Sequence, residues 1–438
     1  MGDYVYPALQ HWVGGTHPYI RLVNLLRDDS SMGYIGIHCQ LVSHMLFPED
    51  SESYSSYEAL SYSWGDTNEQ RAPTEVIWMD GRQYLVSPTL FSALCKLRRK
   101  NHDRLLWIDA LCINQLDLAK RSSQVQRMRQ IYTQAKSVVA WMGEGNAHTD
   151  YAMDLLASRF KRSQRPAWLK VFPTCTTLPY PEDSALMELL SKSWFHRVWV
   201  VQEAASSRRL ALMCGEKIID GRCLTILPKL SEGGFLGHRL QELIRTLTPF
   251  LELMWSSIDK VYGAVELLEL LHRFRSWQSS DPRDKVYALL GLTTSDIQPD
   301  YSLPVSKVYE QVVQHAITYR SLRILTHCNL LQTGDTGIEL PSWCPDWSRP
   351  LELSASQSLK SYGVKGQKGL DPELGMLFPS SLVRSNGKLR QQESSSESRM
   401  IFLFKVMSLA SVFLTTEVYA FAVFRSVELS HTPIKSYR

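Results

Sequence analysis

Short apolar runs alternate with helix-like segments over the first 215 or so residues, and this alternation constrains the fold more than any other feature of the sequence. The strand-like runs are, in chain order, "YIRLVNLL", "GIHCQLV", "YEALSYSW", "LLWIDALCI" and "SVVAWMG". A nearly continuous apolar run such as Leu105–Ile113 is typical of a strand that is covered on both faces. Strands that alternate with helices imply right-handed crossovers and a parallel sheet. The sequence therefore predicts an α/β domain at residues 19–215, with a parallel sheet flanked by helices.

Local signals predict where turns form and where helices begin. Asp80-Gly81 can supply two positive-φ positions, which predicts a hairpin inside "EVIWMDGRQYLV". Ser87-Pro88 provides a cap and a first-turn proline for a following helix, and Asp117 can cap the next one. In that second helix, apolar residues recur at helical spacing: Val125, Met128, Ile131, Tyr132 and Ala135.

The rest of the chain changes character twice. Helical periodicity dominates residues 216–350, which predicts a mainly α-helical region. After "LPSWCPDWSRP" the chain becomes rich in Ser, Gly and Lys, and "QQESSSES" (Gln391–Ser398) is typical of a disordered link. We therefore expect a divergent, partly disordered C-terminal segment at residues 351–438, and an N-terminal tail at residues 1–18.

Composition and charge argue against several classes of function. The 44% hydrophobic and 21% charged content is that of a soluble globular protein. The net charge of +4, without a dense Lys/Arg stripe, argues against nucleic-acid binding. The eight cysteines are scattered and lack zinc-binding spacing, so no metal site is predicted. Because the first residues also lack the pattern of an export signal, we expect a cytoplasmic protein without a disulfide framework.

The apolar stretch Ile401–Phe424 could suggest a membrane span. Lys405 and Glu417 interrupt it, and only 11 residues separate those two charges. A transmembrane helix needs about 20 consecutive apolar residues. We interpret the stretch as a buried helix or strand pair and expect no stable membrane insertion.

Polar side chains follow three of the predicted strands. They are Ser63-Trp64-Gly65-Asp66, then Asp109 with Asn114-Gln115, then Gly143-Glu144. In an open parallel sheet, ligands bind outside the carboxyl ends of the strands. The sequence therefore predicts that these three strand ends share one crevice. Its candidate ligand-binding residues are Trp64, Gly65, Asp66, Asp109, Asn114 and Gln115.

Each of these residues also has a structural interpretation. Asp66 can cap a turn, and Asn114-Gln115 can satisfy backbone groups at a sharp strand exit. Asp109 lies within the apolar run, where an unpaired carboxylate would cost several kcal/mol, so it must have partners. Cys112 has no nearby basic residue to lower its pKa, which favours a buried inert thiol over a nucleophile. His196 lies beside a Trp-rich face, and a lone histidine in such a place is more often a packed side chain than a general base.

The segment "SWFHRVWVVQEAA" (Ser193–Ala205) has an interrupted apolar face. Arg197, Gln202 and Glu203 are threaded among large apolar residues, where an amphipathic helix would keep a continuous stripe. Trp199 and Glu203 are four residues apart, so they share one face of a helix. A carboxylate on such a face needs a partner or a function.

Three blocks of this chain resemble, in order, the signature blocks of the fungal heterokaryon incompatibility (HET) domain. They are "YEALSYSWGD", "LLWIDALCINQ" and "RVWVVQEAA", with supporting stretches that include "DPRDKVYALLGL", "PDYS" and "LPSWCPDWS". The resemblance covers roughly residues 19–349. It implies a role in fungal nonself recognition, in which such proteins trigger growth arrest and death of fused cells. It also implies a protein partner or self-association.

HET domains are similar, more remotely, to TIR domains, which have a flavodoxin-like sheet. Some TIR domains cleave NAD with a glutamate in a pattern close to S-x-W-x-x-x-E, which Trp199 and Glu203 match here. The resemblance thus implies that Glu203 is catalytic, that Arg197 and Trp199 contact the ligand, and that NAD is a substrate rather than a bound cofactor.

Two other interpretations stay open. Glu203 can be a structural anchor that pairs with Arg197 or caps neighbouring loops. The same fold can also serve as a non-enzymatic signalling or protein-interaction module, or as a nucleotide-binding regulatory domain without turnover.

Overall fold

A computed structural model of this chain describes part of the sequence. The described residues are 6, 18–28, 36–48, 55–65, 72–164, 180–232, 236–258, 266–318, 324, 337–341 and 344–350. The predictions for the C-terminal segment 351–438, with the link Gln391–Ser398 and the stretch Ile401–Phe424, lie outside the described residues, as does nearly all of the predicted tail at 1–18.

The described strands form one nine-stranded sheet with the order β5-β4-β2-β1-β6-β3-β7-β8-β9. The strands are β1 (Tyr19–Leu25), β2 (His38–Met45), β3 (Glu58–Tyr62), β4 (Glu75–Met79), β5 (Arg82–Val86), β6 (Arg104–Trp107), β7 (Ser137–Trp141), β8 (Leu210–Cys214) and β9 (Lys217–Asp220). With helices flanking this sheet, the predicted α/β class is confirmed.

The centre of the sheet consists of the four strands β6, β3, β7 and β8, all mutually parallel. If these four are counted by their order in the chain, their spatial order is 2-1-3-4. This is the order of the first four strands of a flavodoxin-like sheet. The middle strands are buried on both faces, because β3 and β7 each have four buried residues out of five.

Antiparallel strands extend this parallel centre on both sides, so the sheet is mixed. β1 pairs antiparallel with both β2 and β6, and β9 pairs antiparallel with β8. For the β4–β5 and β8–β9 pairs, the physical reason is the length of the connection. A short turn joins β8 to β9 and another joins β4 to β5, and a parallel neighbour would need a crossover of a dozen or more residues. The β4–β5 turn is the predicted hairpin, with positive φ at Asp80 (51°) and Gly81 (76°).

The described helices are α1 (Pro88–Leu97), α2 (Asp109–Cys112), α3 (Leu118–Gln126), α4 (Met128–Gln134), α5 (Ala147–Ser163), α6 (Tyr180–Leu190), α7 (Val198–Ala205), α8 (Ile226–Glu232), α9 (His238–Ile258), α10 (Leu267–Arg273), α11 (Asp284–Leu290) and α12 (Val305–Thr318). Two of these twelve described helices, α1 and α3, begin where the local signals predict. Ser87 caps α1 by accepting a hydrogen bond from the Leu90 N–H, and Asp117 caps α3 through the Lys120 N–H.

Two predicted elements have different limits in the structure. The strand predicted at Leu105–Ile113 ends at Trp107, and Asp109 starts the one-turn helix α2 instead of lying inside a strand. A short apolar run fits a buried strand and a buried helical turn equally well, so its pattern does not separate them. The single helix predicted after Asp117 is also divided into α3 and α4, at Arg127.

The chain divides into two compact units, Met1–Ser302 and Leu303–Arg438. The first unit contains the sheet and the helices up to α11. In the second unit, α12 buries an apolar face, and the Tyr309 ring packs edge-on against Trp347 with 5.2 Å between ring centroids. No helix in the described part of the chain has the length and apolar character that crossing a membrane requires.

Candidate active site

A cleft of ≈ 340 Å³ opens at the carboxyl ends of the neighbouring strands β3 and β6. It is lined by residues from the segments after these two strands, from helices α2, α3, α4, α7 and α11, and from the segments that flank α7 and α11. These are Ser63, Trp64, Gly65, Asp109, Ile113, Gln115, Arg121, Val125, Met128, Arg197, Trp199, Glu203, Gln278, Ser279, Ser280, Asp281, Asp284 and Tyr301. The cleft combines aromatic walls with carboxylates and guanidinium groups.

Trp64 and Asp109 form one wall of the cleft. The Trp64 indole Nε1 donates a hydrogen bond to Asp109 Oδ2 at 3.1 Å, and the Ala110 N–H donates to Asp109 Oδ1 at 2.7 Å. Asp109 therefore has the partners that its position requires, and burial raises the pKa of its carboxyl. Gly65 follows with φ 117°, a backbone conformation that favours glycine.

Glu203 contributes a buried carboxylate to the cleft, with only 2% of the residue exposed. Its Oε2 accepts a hydrogen bond from the Ser61 hydroxyl on β3. Ser61 Oγ in turn accepts a hydrogen bond from the Trp194 indole Nε1 at 2.8 Å. Because an indole N–H can only donate, it occupies an acceptor site of Ser61 and directs the serine proton towards Glu203.

Burial raises the pKa of Glu203 to about 7, because desolvation disfavours the charged carboxylate. Arg197, the Ser61 hydroxyl and the Tyr132 hydroxyl act in the opposite direction, while the negative charge of Asp109 adds to the rise. Near neutral pH, the carboxyl of Glu203 is thus poised between its neutral and ionised forms. Perturbed carboxyl groups of this kind occur preferentially at functional sites.

Arg197 fixes the start of α7, the helix that carries Glu203. Its guanidinium donates to the backbone carbonyl of Tyr62 at the end of β3. The Val198 N–H donates to the carbonyl of Gln278 at 2.9 Å, and the Gln278 N–H donates to the carbonyl of His196 at 2.6 Å. Among the described residues, Glu203 forms no ion pair with Arg197. The predicted anchoring of Glu203 by that arginine is therefore not the arrangement observed.

The facing wall comes from the segment 278–301, which the sequence analysis did not single out as a site. The Tyr301 hydroxyl donates to Asp284 Oδ1 at 2.5 Å, and Trp199 lines the cleft together with Asp284. Lys285 is buried and donates to the carbonyls of Arg275 and Trp277, which holds this segment in place. The stretches "DPRDKVYALLGL" and "PDYS" in this segment resemble HET-domain sequence. That resemblance is the signal that could have identified this wall.

The cleft brings together seven of the nine predicted site residues, namely Trp64, Gly65, Asp109, Gln115, Arg197, Trp199 and Glu203. Asp66 lies outside the described residues. Asn114 is not a lining residue; its side-chain oxygen accepts a hydrogen bond from the Leu116 N–H at 3.2 Å, which is the structural interpretation made above.

The strand end after β7 does not join the crevice, so that part of the prediction is wrong. Gly143 makes a tight turn with φ 88°, and the Glu144 carboxylate accepts a hydrogen bond from Ser92 on α1. Lys192 donates to the Glu144 carbonyl at 2.6 Å. These contacts hold the β7 turn against α1 and the segment after α6, and neither Gly143 nor Glu144 is a lining residue of the cleft.

Cys112 and His196 are not lining residues of this cleft either. Burial raises the pKa of the Cys112 thiol to about 12, which keeps it protonated and unreactive at neutral pH. In the part of the chain that the structure describes, no cluster of His, Cys, Asp and Glu could hold a metal ion.

Residues 57–203 match the family model of the heterokaryon incompatibility protein (HET). This range begins at β3 and ends at Glu203, so it contains both strand ends that line the cleft. The chain is also similar to "Heterokaryon incompatibility protein 6, OR allele" of Neurospora crassa, with 27% identity over 364 residues. That alignment covers 67% of this chain and 53% of the relative.

The chain thus spans about half the length of the curated relative that it matches. No solved structure matches it. The family model and the relative agree with each other and with the three sequence blocks, and the first and third of these blocks supply Trp64 and Glu203 to the cleft. Residues 57–203, which include both strand ends of the cleft and Glu203, are therefore similar to the fungal heterokaryon incompatibility (HET) domain.

Proposed function

We propose that this protein cleaves the nicotinamide–ribose bond of NAD in the cleft, with Glu203 as the catalytic residue. The observation that carries the proposal is the buried carboxylate of Glu203, held by Ser61 in a cleft with the aromatic side chains of Trp64 and Trp199. The remote similarity of HET domains to TIR domains also supports it, as does the 2-1-3-4 order of the parallel strands.

The reaction needs few protein groups. When the C1′–N bond breaks, its electron pair moves to the pyridinium nitrogen, so nicotinamide leaves neutral and needs no general acid. The ribose develops oxocarbenium character, which a nearby carboxylate stabilises. Water then adds at C1′ and loses a proton, which yields ADP-ribose. NAD is a substrate in this scheme, and no bound cofactor is required.

We further propose that this activity serves nonself recognition in the fungal cytoplasm and leads to programmed cell death. The relative from Neurospora crassa is named for heterokaryon incompatibility, which supports this role. Depletion of NAD would explain how one small domain arrests a fused cell. Activation would then come from a protein partner or from self-association.

Incubation of the purified full chain with NAD, followed by measurement of released nicotinamide, tests the activity. We expect release by the wild type and its loss in Glu203→Gln, which keeps the size of the side chain but removes its charge. Glu144→Gln is the matched control. This variant should retain full activity, because Glu144 is an exposed carboxylate outside the cleft. Equal release by Glu203→Gln and wild type would refute the catalytic role.

Expression of the same three proteins in a fungal host tests the cellular role. We expect wild type and Glu144→Gln to kill the cells and to lower cellular NAD, and Glu203→Gln to do neither at equal abundance. Undiminished killing by an abundant Glu203→Gln protein would favour a non-enzymatic module.

One observation favours that second candidate, a protein-interaction module that uses the same face. Leu116 is 92% exposed, and Leu118 (44%) and Trp64 (37%) are exposed as well. Leu116 and Leu118 lie in the loop after α2 and at the start of α3, next to the lining residue Gln115. We expect Leu116→Asp to abolish killing without lowering NAD cleavage in vitro if this patch recruits a partner.

A further inference from the structure

Arg121, in the first turn of α3, presents an unused set of hydrogen-bond donors to the cleft. Its side chain is only 24% exposed, and its guanidinium stacks on the Tyr301 ring at 3.6 Å from the centroid. The nearest carboxylate oxygen, Asp281 Oδ2, is 3.7 Å away, beyond the range of an N–H···O hydrogen bond. Among the described residues, no acceptor satisfies this guanidinium.

The neighbouring carboxylates are already occupied by other groups. Arg283 binds Asp281 through two parallel contacts, Nε to Oδ1 at 3.0 Å and Nη2 to Oδ2 at 2.9 Å. The Arg283 N–H adds a third bond to Asp281 Oδ1 at 3.0 Å. Asp284 accepts from the Tyr301 hydroxyl instead. Two guanidinium groups therefore share Asp281, and Arg283 holds the better geometry.

Arg121 and Arg197 act on different carboxylates of the cleft. Burial raises the pKa of Glu203, Asp109 and Asp284; the charge of Arg197 opposes this rise at Glu203 and Asp109, and the charge of Arg121 opposes it at Asp284. At Asp281, Arg121 adds to the lowering of the pKa by Arg283. Arg121 is therefore the guanidinium that can bind an anionic ligand group in this part of the cleft. Arg197 instead acts on Glu203 and Asp109.

We propose that Arg121, held by Tyr301, is a phosphate-binding subsite of the cleft, so that the substrate is a pyridine nucleotide rather than a simple pyridine riboside. The planar guanidinium matches two phosphate oxygens at once, and stacking holds it in one orientation before the ligand arrives. Partial burial strengthens the contact relative to one in water. This subsite rests on the proposed function for its choice of ligand.

Binding without turnover tests the subsite. In a Glu203→Gln background, the full chain is titrated calorimetrically with NAD and with nicotinamide riboside, which has no phosphate. We expect Arg121→Gln to weaken NAD binding by about 10- to 100-fold, the loss typical of a charged hydrogen bond, and to leave riboside binding unchanged. Arg121→Lys keeps the charge but loses the planar fork, so it should weaken NAD binding by less.

Lys120→Gln is the matched control, because it removes the same charge from the adjacent residue, whose side chain is 55% exposed and not part of the cleft lining. Unchanged NAD binding by Arg121→Gln would overturn the subsite, and so would an equal loss of NAD and riboside binding. The two proposals can fail separately. Arg121-dependent NAD binding by a wild type that releases no nicotinamide would refute only catalysis, and Arg121-independent cleavage would refute only the subsite.

Discussion

At the scale of single residues, the Trp194–Ser61–Glu203 chain of hydrogen bonds sets the state of the candidate catalytic carboxyl. Trp194 is buried, and its ring packs edge-on against Phe195 at 5.0 Å and Phe250 at 6.1 Å between centroids, so the indole N–H has a fixed direction. With its acceptor site occupied by Trp194, Ser61 donates to Glu203. This bond favours the ionised form of Glu203 and opposes the effect of burial.

We expect Ser61→Ala to raise the pKa of Glu203 above its value of about 7, by about one unit, because the carboxylate loses a donor. Carbon NMR of the glutamate carboxyls, titrated from pH 5 to 9, measures this directly. The resonance of Glu203 is identified by its absence in Glu203→Gln. An unchanged pKa in a folded Ser61→Ala protein would show that the serine does not act on the carboxyl.

Trp194→Phe should shift the pKa of Glu203 in the same direction by a smaller amount, because the serine proton is then free to turn away. Trp277→Phe is the matched control. Trp277 is also fully buried beside Phe250, but its indole nitrogen has no hydrogen-bond partner among the described residues. We expect no change in the pKa of Glu203 in this control.

At the scale of elements, helix α7 is held in register with α11 by one buried amide. The orientation of the Gln202 amide is assigned from its neighbours: with its nitrogen towards the Ala288 carbonyl it donates at 2.9 Å, and its oxygen accepts from the Arg129 N–H at 2.8 Å. Gly291 at the end of α11 lies directly over this amide, and a Cβ there would be 2.8 Å from Gln202 Cδ. Because Glu203 follows Gln202, this contact also positions the candidate catalytic residue.

We expect Gly291→Ala to lower the free energy of unfolding by roughly 1–3 kcal/mol, because the new methyl group displaces the Gln202 amide. In a Gln202→Ala background the space is free, and the same change should be neutral or stabilising by about 0.5 kcal/mol, since Ala restricts the unfolded chain more than Gly. Urea unfolding of the four proteins measures this cycle. Equal costs in both backgrounds would contradict the contact.

At the scale of the whole molecule, burial of Glu203 makes stability depend on pH. Below the ordinary glutamate pKa of 4.5, the carboxyl is protonated in the folded and the unfolded chain, so it adds no penalty. As pH rises from 4.5 to about 7, the unfolded chain releases its proton first, and the folded state loses stability. A shift of this size corresponds to roughly 3 kcal/mol above pH 7.

We therefore expect Glu203→Gln to gain stability relative to the wild type as pH is raised from 5 to 8, by an amount on the order of 3 kcal/mol, because glutamine cannot ionise. Thermal denaturation of both proteins at several pH values measures the difference. The exposed variant Glu144→Gln, outside the cleft, is measured alongside as the control. A pH-independent difference for Glu203→Gln would mean that the carboxyl titrates normally in the folded state.

The sequence by itself determined the local features of this protein. Asp80-Gly81 sets the β4–β5 turn, and Ser87 and Asp117 cap their helices, because each effect involves groups within a few residues of one another. The alternation of strands and helices likewise predicted the α/β class. The spacing of Trp199 and Glu203 placed both on one face of α7. The strand ends predicted four of the lining residues, namely Trp64, Gly65, Asp109 and Gln115.

Only the tertiary structure decided which distant groups meet. The 105–113 run did not reveal that its strand stops at Trp107, and nothing in the local pattern marked the antiparallel pairing of β1 with β6. Ser61 and Trp194 are 133 residues apart in the sequence, yet their side chains form a hydrogen bond. Arg121 likewise stacks on Tyr301, which follows α11 in the sequence. A sequence shows which side chains can form hydrogen bonds. Which of them come together depends on how packing of the sheet and helices brings distant segments into contact. The local sequence does not specify those contacts.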